Sequence, residues 1–108
     1  MKLTGKCKDD FEKWYLKGVS KEDNFDQYAM QSFYSNGNSM QYGVFVDYFD
    51  SVGIEIILEY FFYNSFNVRI EEDNVEEDYH QEYFIKTECE RQEARTKAIE
   101  KANEIYNG

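Results

Sequence analysis

The residues best suited to chemistry in this sequence are carboxylates that crowd one short segment around its only histidine. Residues 71–82 contain seven acidic side chains, no lysine and no arginine. Carboxylates at this density can bind a cation, exchange protons with an imidazole, imitate the phosphates of a nucleic acid, or form an ordinary solvated loop. The histidine is His80, and the acids are Glu71, Glu72, Asp73, Glu76, Glu77, Asp78 and Glu82.

Motifs that would turn these groups into a reaction centre are absent from the sequence. The segment EEDNVEED lacks the central glycine of a calcium-binding loop, and one histidine cannot build a His-rich zinc site. The pairs Asp47/Asp50 and Glu55/Glu59 would need burial or crowding to act as acid and base. Neither cysteine has a histidine near it in sequence, and nucleotide-binding and serine-nucleophile motifs do not occur. We predict no catalytic residue, no metal ligand and no cofactor, and we expect His80 to be an exposed strand residue.

The net charge of −10 is concentrated in the same segment. Residues 71–82 contribute −7, and the other 15 acids and 12 bases leave the rest of the chain at −3. Phosphate backbones and anionic membranes attract clustered lysine and arginine, so this charge disfavours direct binding to nucleic acid or to a membrane. The sequence shows no export signal and no run of about 20 apolar residues. Its two cysteines are then expected to be free thiols, and we predict a cytoplasmic location.

Hydrophobic periodicity predicts three helices, a three-stranded antiparallel meander and a final helix in a single domain, residues 1–108. Contiguous strands with helices before and after them indicate an α+β fold, with the helices packed on one face of the sheet. Residues 42–49 are also compatible with a strand, and that alternative stays open. The helices are expected at 4–18, 24–34, 39–53 and 87–108, and the strands at 54–63, 66–72 and 79–87.

Local signals at the helix ends refine these boundaries. Thr4 suits the N-cap of the first helix, and Thr87 with Glu90 has the spacing of a capping box before the last helix. Gly53 suits the left-handed residue that ends the third helix. The last helix also carries a stripe of small residues that permits close packing against a sheet or another helix. The stripe consists of Ala94, Ala98 and Ala102.

Aromatic residues make up 19% of the chain. Because rings bury large areas, two interpretations are open. The aromatic residues compensate for the small size of the core, or some of them lie at the surface and bind a partner. Alternation in the first strand places Ile57, Phe61 and Tyr63 on one side, which is exposed if helices cover the other side. An apolar patch rimmed by charge is typical of protein-binding surfaces. The open edges of a small sheet also favour pairing with a second copy, so we predict a homodimer.

Three stretches of the sequence carry a resemblance: MKLTGKCKDDFEKWY, SMQYGVFVDYFDSVGIEI and EARTKAIEKANEIYN. Together they resemble small, uncharacterised proteins of bacteriophages and prophages, particularly those of Bacteroides-type gut hosts. The resemblance covers both ends and the middle of the chain, and it brings with it no catalytic or binding residue. It implies a role in the cytoplasm of an infected bacterium, as an accessory or counter-defence protein such as an anti-CRISPR.

These observations favour a non-catalytic interaction protein whose partner is a host or phage protein. The second hypothesis is a nucleic-acid mimic that occupies the DNA or RNA channel of a defence protein, which requires carboxylates spread like phosphates. A carboxylate-based, metal-dependent hydrolase using Asp47, Asp50 or Glu55/Glu59 is the third hypothesis, and a self-assembling phage component is the fourth. The candidate partner-binding residues are Ile57, Phe61 and Tyr63, together with Glu71, Glu72, Asp73, Glu76, Glu77 and Asp78.

Overall fold

A computed structural model describes residues 1–19, 26–74 and 76–108. These residues form four helices and a three-stranded sheet, which confirms the predicted α+β order. None of the helices in this described part of the chain is long and apolar enough to cross a membrane. The elements are α1 (Gly5–Val19), α2 (Asp26–Tyr34), α3 (Asn38–Ser51), β1 (Ile54–Phe62), β2 (Ser65–Asn74), β3 (Tyr79–Thr87) and α4 (Arg91–Asn107).

Most predicted boundaries lie within a few residues of the observed ones. Residues 42–49 are helical within α3, so the strand alternative for this segment is wrong. Gly53 has a φ of +85° after α3, where an L side chain is strained, and a Cβ there would also collide with the backbone oxygen of Asp73. The predicted start of the second helix, at residues 24–25, lies outside the described residues.

The sheet is an antiparallel meander in the order β1-β2-β3, so β2 is the central strand. Alternation along β2 buries Val68 and Ile70 and leaves the residue between them only partly covered. Asn64, with a φ of +54°, lies in the tight turn between β1 and β2. One extra residue between Tyr60 and Phe62 interrupts the β1–β2 ladder, which makes a β-bulge at this end of the sheet.

The helices pack against one face of the sheet, as predicted. α3 and α4 contact the strands directly, while α1 packs on α3 and α4, and α2 packs on α1. Ile54 and Ile56 of β1 face this helical layer and are buried. The alanine stripe of α4 is completely buried, which confirms its predicted packing role. Small side chains let the axis of α4 lie close to the sheet.

Aromatic rings build most of the helical layer. The ring centre of Phe11 in α1 lies 5.3 Å from that of Phe33, 4.9 Å from that of Phe45 and 5.4 Å from that of Tyr48. All four residues are at most 1% exposed. Tilted and edge-on ring pairs at such distances stabilise a core beyond the area that they bury. Part of the high aromatic content is therefore explained by packing in a short chain.

The start of α1 is held by the end of α4. The backbone N–H of Cys7, in the first turn of α1, donates to Asn107 Oδ1 over 2.9 Å. Asn107 Nδ2 donates in turn to the backbone oxygen of Thr4, also over 2.9 Å, and Asn103 Nδ2 donates to the Thr4 hydroxyl. Thr4 precedes the helix as predicted, but the side chain that caps Cys7 comes from the other end of the sequence.

The predicted capping box before α4 is wrong. Thr87 is the last residue of β3, and its hydroxyl donates to the backbone oxygen of Phe66 on β2. Glu90 is the N-cap residue of α4, and its side chain makes no capping hydrogen bond. The Thr87 hydroxyl therefore stabilises the end of β3 against β2, and α4 begins four residues later, at Arg91.

Candidate functional site

The face of the sheet opposite the helices, called the outer face here, presents charged and apolar side chains in cross-strand rows. Phe84, near the midpoint of the edge strand β3, is 64% exposed, so the outer face is open at that point. The row through Phe84 continues to Arg69 and Ile57, where Ile57 is half-buried. On one side of this row lies Glu59–Asn67–Lys86, and on the other lies Glu55–Glu71–Glu82.

Three carboxylates therefore stand next to one another across the sheet. Glu55 precedes Glu71 by 16 positions in the sequence, yet the two are direct cross-strand partners. Like charges in such positions destabilise a sheet. Elsewhere on the outer face, Glu59 is neutralised by Arg69 with an N–O distance of 3.6 Å. The row Glu55–Glu71–Glu82 extends the acidic stretch onto β1, which sequence proximity did not indicate.

His80 lies on the outer face at the acidic end of the sheet, which confirms it as an exposed strand residue. Its Nδ1 is 2.5 Å from Asp73 Oδ1, its cross-strand partner, and its Nε2 is 3.5 Å from Glu82 Oε1. The hydrogen bond to Asp73 is the main cause of a pKa raised above 6.5, and Glu82 acts in the same direction. The imidazole thus partly neutralises two carboxylates at a surface open to water.

The predicted binding residues divide between the two ends of the sheet. The acidic end comprises residues 71–73, 76–78 and 82 together with Glu55, and it surrounds the β2–β3 connection. The aromatic end comprises residues 60–63 at the β1–β2 turn. Because both turns involve β2, they lie at its opposite ends, about 30 Å apart for a ten-residue strand. Ile57 lies between them on the outer face, so the predicted residues do not form one site.

Four consecutive rings are exposed at the aromatic end. Tyr60 and Phe61 are each 57% exposed, Phe62 is 68% exposed and Tyr63 is 82% exposed. Alternation predicted exposure only for Phe61 and Tyr63. The β-bulge breaks the alternation here, and burial along β1 declines from Ile54 toward this end, beyond the part of the strand that the helices cover.

A basic side chain from α4 contacts two rings near the aromatic end. The ring centre of Phe66 lies 5.5 Å from that of Tyr60. The guanidinium carbon of Arg91, at the start of α4, lies 5.2 Å from the Phe66 ring centre and 6.0 Å from the Tyr60 ring centre. Such distances are typical of cation–π contacts. The sequence did not indicate a role for Arg91, because its distance from Tyr60 depends on how α4 packs against the sheet.

The acidic end borders a groove of about 560 Å³ between the sheet and the helical layer. Glu72, Asp73 and Glu77 line it from the sheet, and Lys6 and Tyr106 line it from the helices. Within the described ranges, no three His, Cys, Asp or Glu side chains come together in an arrangement that could hold a metal ion. Asp47 and Asp50 are exposed on α3.

A half-buried polar cluster in the helical layer was not predicted. The hydroxyl of Tyr106 donates to Asp10 Oδ2 over 2.6 Å, and the ring centre of the buried Tyr48 lies 6.1 Å from that of Tyr106. Burial raises the pKa of the Cys7 thiol to about 12, and the nearby charge of Asp10 adds to this rise. Cys7 is therefore protonated at neutral pH, which is the unreactive form of a thiol.

Comparison with known proteins finds no matching family model, no matching curated protein and no matching solved structure.

Proposed function

We propose that this protein is a non-catalytic interaction protein that binds its partner through the aromatic end of the sheet. The observation that carries this proposal is the run of four exposed rings, Tyr60 to Tyr63, at the tip of a hairpin. Neighbouring exposed rings are costly in water and are enriched at the centres of protein interfaces. Arg91 stands beside them, and arginine is the other residue type that such centres favour.

The binding energy available at this surface is substantial. A ring that passes from exposed to fully buried contributes about 1.5–3 kcal/mol. Phe62 and Tyr63 are the most exposed of the four, so each has most of its area still available to a partner. Together they would supply about 3 kcal/mol or more, which corresponds to a change of at least about 100-fold in Kd. A partner with an apolar groove matches this convex hairpin tip.

The proposed setting is the cytoplasm of an infected bacterium, where the partner is a host or phage protein and the role is accessory or counter-defence. The acidic end serves solubility and steering, since a localised charge acts at a distance and raises the rate of encounter with a basic partner. The acidic end lies about 30 Å from the aromatic end, so the two ends would contact one partner surface at separate places.

The test is affinity purification from the natural host, followed by titration of the partner with purified variants. The double variant Phe62→Ala/Tyr63→Ala should bind at least about 100-fold more weakly than the wild type. Tyr28→Ala is the matched control, because Tyr28 is 72% exposed on α2, the helix that packs on α1. It should bind like the wild type. Equal binding by the double variant would overturn the assignment of the aromatic end.

A second candidate function is nucleic-acid mimicry, and the row Glu55–Glu71–Glu82 favours it because it spreads acidic groups over three strands. The carboxylates are interrupted on the same face by Arg69, Lys86 and His80, which weakens the likeness to a phosphate row. Binding that survives Phe62→Ala/Tyr63→Ala but is lost on joint neutralisation of the acids would favour this function. The acids to neutralise are Glu71, Glu72, Asp73, Glu76, Glu77 and Asp78.

A further inference from the structure

The outer edge of β3 is open in the described part of the chain. β3 pairs with β2 on one side, and no strand of the described residues pairs with its other side. Six of its nine residues are exposed, and only Thr87 is buried. β1, the opposite edge strand, differs because α3 and α4 pack on it and a bulge distorts its end. A long, regular, uncovered edge is a ready template for pairing with another strand.

We infer that β3 pairs antiparallel with β3 of a second copy, about a two-fold axis that passes through Phe84. This inference goes beyond the proposed function, because it concerns another surface and another partner. The pairing joins two three-stranded sheets into one sheet of six strands. A two-fold axis perpendicular to the sheet keeps both outer faces on one side, so residues of the outer face oppose residues of the outer face.

Charge complementarity fixes this register. With the axis at Phe84, Glu82 of each copy stands opposite Lys86 of the partner subunit, and the pair occurs twice. Phe84 stands opposite its own copy between these two pairs, so two rings that are 64% exposed cover each other. His80 comes opposite the partner's Glu88. Opposite charges and paired rings are the cross-strand combinations that stabilise a sheet.

The face toward the helices is complementary in the same register. Tyr83 comes opposite the partner's Ile85, and both residues are half-buried at the border of the hydrophobic core. From the helical layer, Lys101 of α4 lies over the Tyr83 ring, with its Nζ 5.5 Å from the ring centre. The pairing therefore extends the apolar surface on one face while it neutralises charge on the other face.

Each neighbouring two-fold register opposes like charges. An axis through Tyr83 would bring His80 against the partner's Lys86, and an axis through Ile85 would bring Glu82 against the partner's Glu88. An axis through Glu82 would bring the two copies of Glu82 together. β1 offers no alternative, because its only charged residues are Glu55 and Glu59, so self-pairing there cannot join opposite charges.

The experiment is sedimentation velocity from about 1 to about 200 µM, a range suited to a pairing near the lower limit of interface size. The wild type should reach twice the chain mass of 13.0 kDa within this range. Glu82→Lys and Lys86→Glu each replace two attractive pairs with two repulsive ones, so each should weaken dimerisation about tenfold or more. The charge exchange Glu82→Lys/Lys86→Glu restores opposite charges and should recover dimerisation to near the wild-type level.

The matched control is Glu55→Lys, the same change in the same cross-strand row but on the opposite edge of the sheet. It should dimerise like the wild type, and far-UV circular dichroism checks that every variant is folded. The inference is overturned by a wild type that stays at the single-chain mass up to about 200 µM. It is also overturned if either single variant dimerises like the wild type, if the charge exchange fails to recover dimerisation, or if Glu55→Lys weakens it as much as Glu82→Lys.

Discussion

Replacing Asn107 with alanine should destabilise the protein by about 1.5 kcal/mol, although the residue lies at the surface. The side chain accepts a hydrogen bond from the backbone N–H of Cys7 and donates one to the backbone oxygen of Thr4, each over 2.9 Å. A hydrogen bond contributes about 1 kcal/mol net to the free energy of unfolding. The bond to Thr4 contributes about half of this value because it is exposed to water. The total falls within the range of about 0.5–2 kcal/mol measured for helix caps.

The assay is urea unfolding followed by far-UV circular dichroism, at one protein concentration for all variants because dimerisation would shift the midpoint. The midpoint should fall by about 1 M with an unchanged slope, and Tm should fall by about 6 °C. Asn107→Asp is the control, since it keeps an acceptor for Cys7 and places a negative charge at the start of α1, so it should lose less than half as much. A loss below about 0.3 kcal/mol for the alanine variant would refute the view that α4 caps α1.

Two further predictions concern titrating groups. Because the hydrogen bond to Asp73 raises the pKa of His80 above 6.5, its stabilising effect is complete below about pH 6.5 and is lost as the pH rises through the folded-state pKa. The NMR titration of this single imidazole should give a pKa above 6.5 that falls in Asp73→Asn, and a wild-type value at or below 6.5 would contradict the geometry. The second prediction is that one thiol per folded chain reacts with a thiol reagent and that two react after unfolding. Cys7 is fully buried with a pKa of about 12, whereas Cys89 is only half-buried. Two rapidly reacting thiols in the folded protein would argue against the packing of α1.

The arrangement of elements could be predicted because each has a strong local period. The alanine stripe of α4 and the alternation of Val68 and Ile70 in β2 depend on spacing alone, and both were confirmed by burial. Gly53 could be assigned to its turn because few residues other than glycine adopt a positive φ. These signals act over a few residues, so the sequence contains them directly.

The missed features all depend on contacts between distant parts of the chain. Asn107 caps α1 from about 100 residues away, and no local pattern marks an asparagine for that role. The β-bulge near Phe61 exposes Tyr60 and Phe62, and a bulge is defined by the partner strand as much as by its own residues. The acidic neighbour Glu55 became visible only once the β1–β2 register was known.

The two proposals depend on different residues, because partner binding is assigned to the aromatic end of the sheet and dimerisation to the open edge of β3. Each proposal can therefore be tested separately. Antiparallel pairing through Phe84 would direct the aromatic ends of two copies toward opposite ends of the joined sheet, since the β1–β2 turns then point in opposite directions. One dimer would present two hairpin tips to two partner molecules, or to two sites of one symmetric partner. Lys86→Glu, which lies outside the acidic end, would then lower avidity for a symmetric partner while it leaves the rings of each tip in place, whereas loss of Phe62 and Tyr63 would lower both avidity and the affinity of a single tip. A partner that binds Lys86→Glu as tightly as the wild type, at a concentration where this variant is monomeric, would therefore be one that contacts a single tip.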